Sequence, residues 1–257
     1  MTLRQLNIVP IVLLAAYIPL SHFYPVIEWW GLGVVFLLQL SVLVYGCMNI
    51  SSGYFFRALC KAETKEQVIA LSFDDGPHPG RTDNILDTLK KYNVPATFFC
   101  IGKNIPGNEP LLQRINSEGH IIGNHSYSHD FWFDLFGSKK MLADLQQMDE
   151  EVKRVIGQKP VLFRPPYGVT TPNMSNVVLK GKYIPIGWSI RSLDTTAKDK
   201  QKLLLRITGQ MKPGDIILLH DSIEMTADML PELIETIRNK GFRIERLDKM
   251  LKVNAYA

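Results

Sequence analysis

The chain has 257 residues, a net charge of +4 and 21% charged residues. That length lies within the range of one α/β barrel, and so mild a charge points away from nucleic acid as a partner. The apolar residues, however, are unevenly spread. Between Gln5 and Ile27, and again from Trp29 to Phe56, no Asp, Glu, Lys or Arg occurs. Each tract is long enough to cross a bilayer core of about 30 Å, which takes roughly 20 helical residues. Residues 1–60 therefore read as a membrane anchor of one or two transmembrane helices, and residues 61–257 as a soluble domain, with the boundary near Cys60.

The second tract, about Trp29 to Ile50, is rich in Leu and Val and opens on a tryptophan pair suited to the membrane interface. The first carries Pro10, Pro19 and Pro25 and reads as kinked, short or partly inserted. A cleaved signal peptide fits less well, because Arg4 is the sole N-terminal charge and no small-x-small site follows. Membrane lipid is thus an expected partner. Two spans would leave the soluble domain in the cytoplasm by the positive-inside rule, and one span would turn it outward. Cys47, Cys60 and Cys100 have no paired spacing, so neither a disulfide framework nor a thiolate zinc cluster is expected.

From Gln67 short apolar runs alternate with amphipathic stretches. Strands are predicted at Val68–Phe73, Ala96–Ile101, His120–Asn124, Leu162–Phe163, Ile184–Ile190, Ile216–Leu219 and Phe242–Leu247. Helices are predicted at Thr82–Tyr92, Pro110–Glu118, Ser138–Ile156, Asn173–Lys180, Lys200–Gln210 and Ala227–Lys240. In the long third helix Met141, Leu145, Met148, Val152 and Val155 recur on one side. This order argues a parallel sheet covered by helices, and about seven units suit a closed or nearly closed barrel.

The chemistry-bearing residues each follow a predicted strand: Asp74-Asp75, His125 and His129, Arg164-Pro165-Pro166-Tyr167-Gly168, Asp194, and His220-Asp221. In parallel barrels such positions meet over one face. One carboxylate of the Asp74-Asp75 pair can hold a metal with two imidazoles while the other takes a proton from water. His125 and His129 would share a face if their segment makes a helical turn. Two imidazoles and a carboxylate suit zinc or another divalent ion. The same set fits a non-haem iron oxygenase, which has no evident use for a second aspartate or for His220. Arg164 reads as a guanidinium held near the acidic pair. His220, with Asp194 near it, would stay protonated as a general acid. His78 and His120 read as structural or surface residues.

The motifs SFDDGP, HSYSH, RPPYG, LDT at a strand end and LLHD, in this order, resemble the polysaccharide deacetylases (carbohydrate esterase family 4, the NodB-like domain). The resemblance runs from about Gln67 to Leu247. It implies a distorted (β/α) barrel and a divalent metal, usually zinc, on Asp75, His125 and His129. It further implies Asp74 as the base, oriented by Arg164, and His220 as the acid, tuned by Asp194. The Tyr167 N–H would help stabilise the oxyanion, and Leu218 would line the acetyl pocket. The implied reaction removes an N-acetyl group from an amino sugar of an envelope glycan such as peptidoglycan. Alternatives are deacylation or deformylation of a lipid-linked sugar precursor, and a non-catalytic glycan-binding barrel. The chain departs from the family in having Thr195 where a tryptophan often follows the aspartate, and Arg191 where an acidic residue is frequent. Trp188, six residues earlier, is expected to point elsewhere.

Overall fold

The computed structural model describes residues 28–257 together with Val12, Ala15, Tyr17 and Pro19. The first apolar tract otherwise lies outside the described residues. Helix α1 spans Glu28–Met48, and within residues 30–48 only Gly46 is buried. Among the described residues this is the one helix long and apolar enough to cross a membrane.

The rest of the chain alternates strand and helix. Strand β1 (Val68–Asp74) leads to α2 (Arg81–Tyr92), β2 (Thr97–Cys100) to α3 (Glu109–Ser117), and β3 (Ile121–Asn124) to α4 (Ser138–Ile156). Then come β4 (Leu162–Phe163), α5 (Pro172–Gly181), β5 (Ile184–Pro185) and β6 (Ile190–Arg191). The chain ends with α6 (Lys200–Thr208), β7 (Ile216–His220), α7 (Glu224–Asn239), β8 (Arg243–Ile244) and α8 (Leu247–Leu251). Seven strands form a curled half-barrel in the order β5-β4-β3-β2-β1-β7-β6, every pairing parallel, and β8 joins the start of β1. This is the distorted (β/α) barrel expected from the strand–helix order.

Strand periodicity sorts the side chains into two layers. Ile69, Leu71 and Phe73 of β1, Phe98 and Cys100 of β2, and Ile217 and Leu219 of β7 pack under the helices. Phe73 and Phe98 stack at 5.1 Å there, joined by Leu86 and Leu89 of α2 and by Leu230 and Ile234 of α7. The alternate residues Ala70, Phe99, Ile121, Leu162 and Ile216 fill the inside of the curl.

Two predicted strands are corrected. The run Ile184–Ile190 is not one strand but the crossing from one edge of the sheet to the other. Its start pairs with β4 and its end with β7. In between, Ile186 N–H donates to Phe163 O at 2.8 Å, and Ser189 N–H donates to Ile216 O at 3.1 Å. Pro185 brings no N–H to this stretch, and Leu59 takes up the seam: its N–H donates to Pro185 O, and its carbonyl accepts from Gly187. Phe242–Leu247 likewise shortens to β8, because Leu247 opens a helix. Asp248 in the first turn of α8 binds the Arg246 guanidinium at 2.6 and 2.9 Å and accepts the Lys249 N–H at 2.8 Å, a favourable place for an anion.

Gly187 sits where a Cβ would strike the Cys60 thiol and meet Ile50 at 3.2 Å. Gly187→Val should therefore lower stability by about 1–3 kcal/mol through overpacking of this seam. Chemical denaturation of the full chain in detergent, beside the exposed control Leu179→Ala, checks it.

Candidate active site

The two-layer alternation places Ser72 and Asp74 on the inner side of β1, and Leu218 and His220 on the inner side of β7. The register pairs Asp74 with His220 and Ser72 with Leu218. Arg164, the residue after β4, follows the same parity as Leu162 and points inward. It is fully buried. One guanidinium nitrogen donates to Asp74 Oδ1 at 2.7 Å and to Ser72 Oγ at 2.9 Å, and the other donates to Gly187 O at 2.9 Å. The cation lies 4.1 Å from the centre of the Phe99 ring and 5.7 Å from that of Trp188. Burial raises the Asp74 pKa, with Arg164 opposing that rise.

Asp75 turns the other way out of β1, with φ of 80°. Its Oδ1 stands 3.7 Å from His125 Nε2 and 3.6 Å from His129 Nε2. The expected helical turn from His125 to His129 is absent. The segment is a loop in which Ser126 (φ 66°) and His129 (φ 43°) are left-handed, and it still brings the two rings to 4.9 Å. Side chains hold it. Asn124 Oδ1 accepts the Ser126 N–H, Asp144 accepts the N–H groups of Tyr127 and Ser128, and Ser126 Oγ accepts that of His129.

These three residues fit a divalent cation. Their donor atoms lie within 4.8 Å of one another, and ligands of one tetrahedral zinc ion stand roughly 3.4 Å apart. His125 Nδ1 is 2.8 Å from the Arg164 carbonyl, so that nitrogen carries the proton and Nε2 offers its lone pair to the cluster. Burial, then the charge of His129, lowers the His125 pKa to about 3. Burial also lowers that of His129. Both shifts favour the neutral imidazole that a metal ligand must be.

Across the pocket His220 Nδ1 meets Asp194 Oδ1 at 2.7 Å. Asp194 is buried and fully engaged, accepting also from Thr195 N, Ser192 Oγ, His220 N and Thr226 Oγ1. Burial works against a charged His220, but the Asp194 hydrogen bond and charge, with Asp74 and Asp75 behind, raise its pKa to about 9. Leu218 and Tyr167 line the same pocket, Tyr167 with a left-handed φ of 58° and its ring 4.8 Å from that of His129. The structure thus brings together all nine singled-out residues. Trp188 corrects the expectation that it points elsewhere. It forms a wall of this pocket, where a Cβ on Gly168 would strike its ring, and Arg191 and Thr195 line the same opening.

The sequence profile of polysaccharide deacetylases matches residues 61–184. Over 190 residues the chain is 32% identical to a peptidoglycan-N-acetylglucosamine deacetylase of Bacillus cereus, covering 72% of this chain and 69% of that one. The chain belongs to the polysaccharide deacetylase family. This deacetylase-family chain is also 32% identical, over 199 residues, to the peptidoglycan-N-acetylmuramic acid deacetylase PdaC of Bacillus subtilis, covering 76% of this chain and 42% of that protein. The crystal structure of a peptidoglycan N-acetylglucosamine deacetylase superposes with a TM-score of 0.74 at 29% identity, over 78% of this chain and 95% of that one.

Sequence reasoning missed Asp149 as a support of this site, and it grouped Asp221 with His220 without giving it a partner. Asn124 Nδ2 donates to Asp149 at 2.7 Å, and Asp149 also binds Tyr183 Oη at 2.6 Å and Lys159 at 3.3 Å. Asp149 lies in the apolar stripe of α4, and a charge in such a stripe is the signal that could have found it. Asp221 packs against Gly76 and accepts from Thr82 Oγ1, which in turn accepts the His78 N–H. Burial raises the Asp221 pKa to about 8. His120 is structural, as expected, its Nδ1 accepting the Ala96 N–H.

A general acid at His220 must be protonated, so kcat/KM should fall as pH rises through its pKa. A cation at Asp75 offsets part of the anionic support, which sets that limb below 9 in the loaded enzyme. Asp194→Asn removes the main support and leaves burial dominant. It should shift the descending limb down by roughly one unit or more, which a pH profile of kcat/KM reads directly.

Proposed function

We propose that this protein is a metal-dependent deacetylase that removes N-acetyl groups from amino sugars of peptidoglycan, with residues 61–257 as its catalytic domain. The observation that carries this reading is the placement, across one pocket, of a carboxylate bonded to a buried guanidinium and an imidazole bonded to a buried carboxylate. Asp74 is ion-paired and poised to take a proton, and His220, 26 residues beyond Asp194 in the chain and bonded to it, is held ready to give one. The complete set argues against a non-catalytic glycan-binding barrel.

Asp75, His125 and His129 would hold the cation, and their two imidazoles and one carboxylate favour zinc. When bound, such an ion supplies Lewis-acid polarisation and lowers the pKa of water. Asp74 takes a proton from the attacking water as its oxygen bonds to the acetyl carbon. Arg164 fixes the angle of that carboxylate through the 2.7 Å bond. Negative charge then develops on the former carbonyl oxygen, toward which the Tyr167 N–H would be aimed. Leu218 gives the methyl group an apolar wall. His220 passes its proton to the amide nitrogen, the C–N bond breaks, and acetate and a free amine leave. Asp194 stabilises the imidazolium before transfer and, through Nδ1, keeps Nε2 as the reacting nitrogen.

The relatives act on N-acetylglucosamine or N-acetylmuramic acid by name. Arg191 on the pocket rim favours a sugar bearing a carboxylate such as the muramic lactyl group. Residues 1–60 are read as the membrane anchor, with α1 as a span, and the protein as a membrane enzyme.

Acetate release from peptidoglycan fragments and N-acetylglucosamine oligomers by the full chain with zinc tests the function. Asp74→Asn should lower the rate by at least about 100-fold with folding intact, and chelation should abolish release until zinc is returned. Unchanged release in Asp74→Asn would refute the assignment of the base. Arg191→Glu should depress kcat/KM for N-acetylmuramic substrates more than for N-acetylglucosamine ones, by roughly tenfold.

A further inference from the structure

Helix α1 does not hang from the catalytic domain on a free tether. Its last carbonyls are built into the domain. Thr170 N–H donates to Cys47 O at 2.9 Å, and Thr170 Oγ1 donates to Gly46 O at 2.9 Å. Thr170 is buried and lies three residues beyond Tyr167. A Cβ on Gly46 would strike the Tyr54 ring, Ile50 is buried, and Ser175 Oγ donates to Phe55 O at 3.0 Å.

The turn after His129 carries an exposed apolar group. Phe131 is 71% exposed, Trp132 60% and Leu135 73%. The Phe131 ring packs edge-on to Trp132 at 4.8 Å and faces Tyr167 at 6.3 Å, and Tyr167 rests on His129. On its other side the turn is tied to the start of α5, where Asn173 Nδ2 donates to Phe136 O. At the end of α1, Tyr45 and Met48 are exposed as well.

The 19 residues of the apolar helix rise about 28 Å, the thickness of a bilayer core of about 30 Å. A span of that length fixes the depth of whatever its last turn is bonded to. Here that is Thr170, three residues before the Asn173 that holds Phe136 at the end of the turn bearing Trp132, and tryptophan prefers the membrane interface. Leu135 gives a sugar no ring to stack on, so a lipid surface suits the trio better than a glycan does.

We propose that the Phe131–Leu135 turn is a membrane-docking surface. It seats in the lipid headgroup boundary beside the end of α1 and holds the pocket mouth against the bilayer. The substrate is then an N-acetylated amino sugar presented at that surface by a lipid anchor. This inference rests on α1 being a span and on the deacetylase reading.

The test uses the full chain in nanodiscs, with a lipid-tethered oligomer of alternating N-acetylglucosamine and N-acetylmuramic acid in the same disc and the free oligomer in solution. Trp132 emission, taken as the difference from Trp132→Phe, should be quenched when brominated phosphatidylcholine replaces the ordinary lipid. Trp132→Ser/Leu135→Ser should keep the free-oligomer rate within about twofold and lose at least about tenfold on the tethered one. Absence of quenching overturns the proposal, as does equal loss on both oligomers, which would make the turn a glycan platform. If the double variant fails to fold, Leu135→Ser alone and the quenching decide. Release of the chain from membranes at alkaline pH would show instead that α1 is no span. Failure of the unaltered chain to deacetylate either oligomer would refute the deacetylase reading while the quenching still reports docking.

Discussion

The buried pair of Arg164 and Asp74 is the interaction on which the rest of the site depends. A carboxylate withdrawn from water strongly favours its proton, and a protonated Asp74 could not accept one from water. The guanidinium 2.7 Å away opposes that protonation. It also reaches the carbonyls of Ile186 and Gly187, in the stretch that crosses from β5 to β6. One cation thus holds the Asp74 carboxylate, the proposed base, and ties down the stretch that crosses the open side of the barrel. Its planar fork satisfies several acceptors at once, which an ammonium could not do in the same geometry. Removing either partner would leave a buried charge unpaired, an outcome that commonly costs about 3–5 kcal/mol.

The second constraint is backbone direction. Asp74 and Asp75 are adjacent, and in an extended strand they would face opposite layers. The left-handed Asp75 breaks that alternation, so one carboxylate stays with Arg164 and its neighbour joins the histidines. His129 and Tyr167 are left-handed as well. Non-glycine residues in this region are held there by their surroundings, and here the surroundings are visible. Asp144, Asn124 and Ser126 satisfy the histidine loop, and Asp221 with Thr82 backs the turn at Gly76.

Most of this was legible in the residue order, for physical reasons. Period-2 and period-3.6 patterns identified α4 to its ends and gave the start of α6, because those segments bury one continuous stripe. Polar residues at strand ends converge in any parallel barrel, so Asp74, His125, Arg164, Asp194 and His220 could be grouped before their distances were known. What stayed hidden depends on tertiary contacts. Ile184–Ile190 has the composition of one strand, and only the positions of β4, β7 and Leu59 divide it. The spacing of His125 and His129 suits a helical turn, yet Asp144, a residue from α4, imposes a loop. Trp188 seemed misplaced because sequence distance was read as spatial distance, whereas the crossing stretch returns its ring to the pocket wall. Asp149 is marked in the sequence only by a charge in an apolar stripe, and Asp221, although it ends the LLHD motif, shows its supporting place only through its burial and its bond to Thr82.

The junction of α1 with the domain has the same character. Gly46, Cys47 and Thr170 are unremarkable letters, and a boundary near Cys60 follows naturally from composition. The hydrogen bonds cross that boundary. Leu59 is part of the barrel seam, and Ile50 packs beside Gly187, so the segment after the helix belongs to the fold that shapes the pocket. Arg164 touches the same stretch from the inside. The end of α1 is thus bonded to Thr170, near Tyr167, on one side, and the segment after it packs beside Gly187 of the Arg164 cradle on the other. If α1 spans a bilayer, as proposed above, bonds of this kind would fix the orientation in which the pocket meets its substrate as well as retain the protein at the surface.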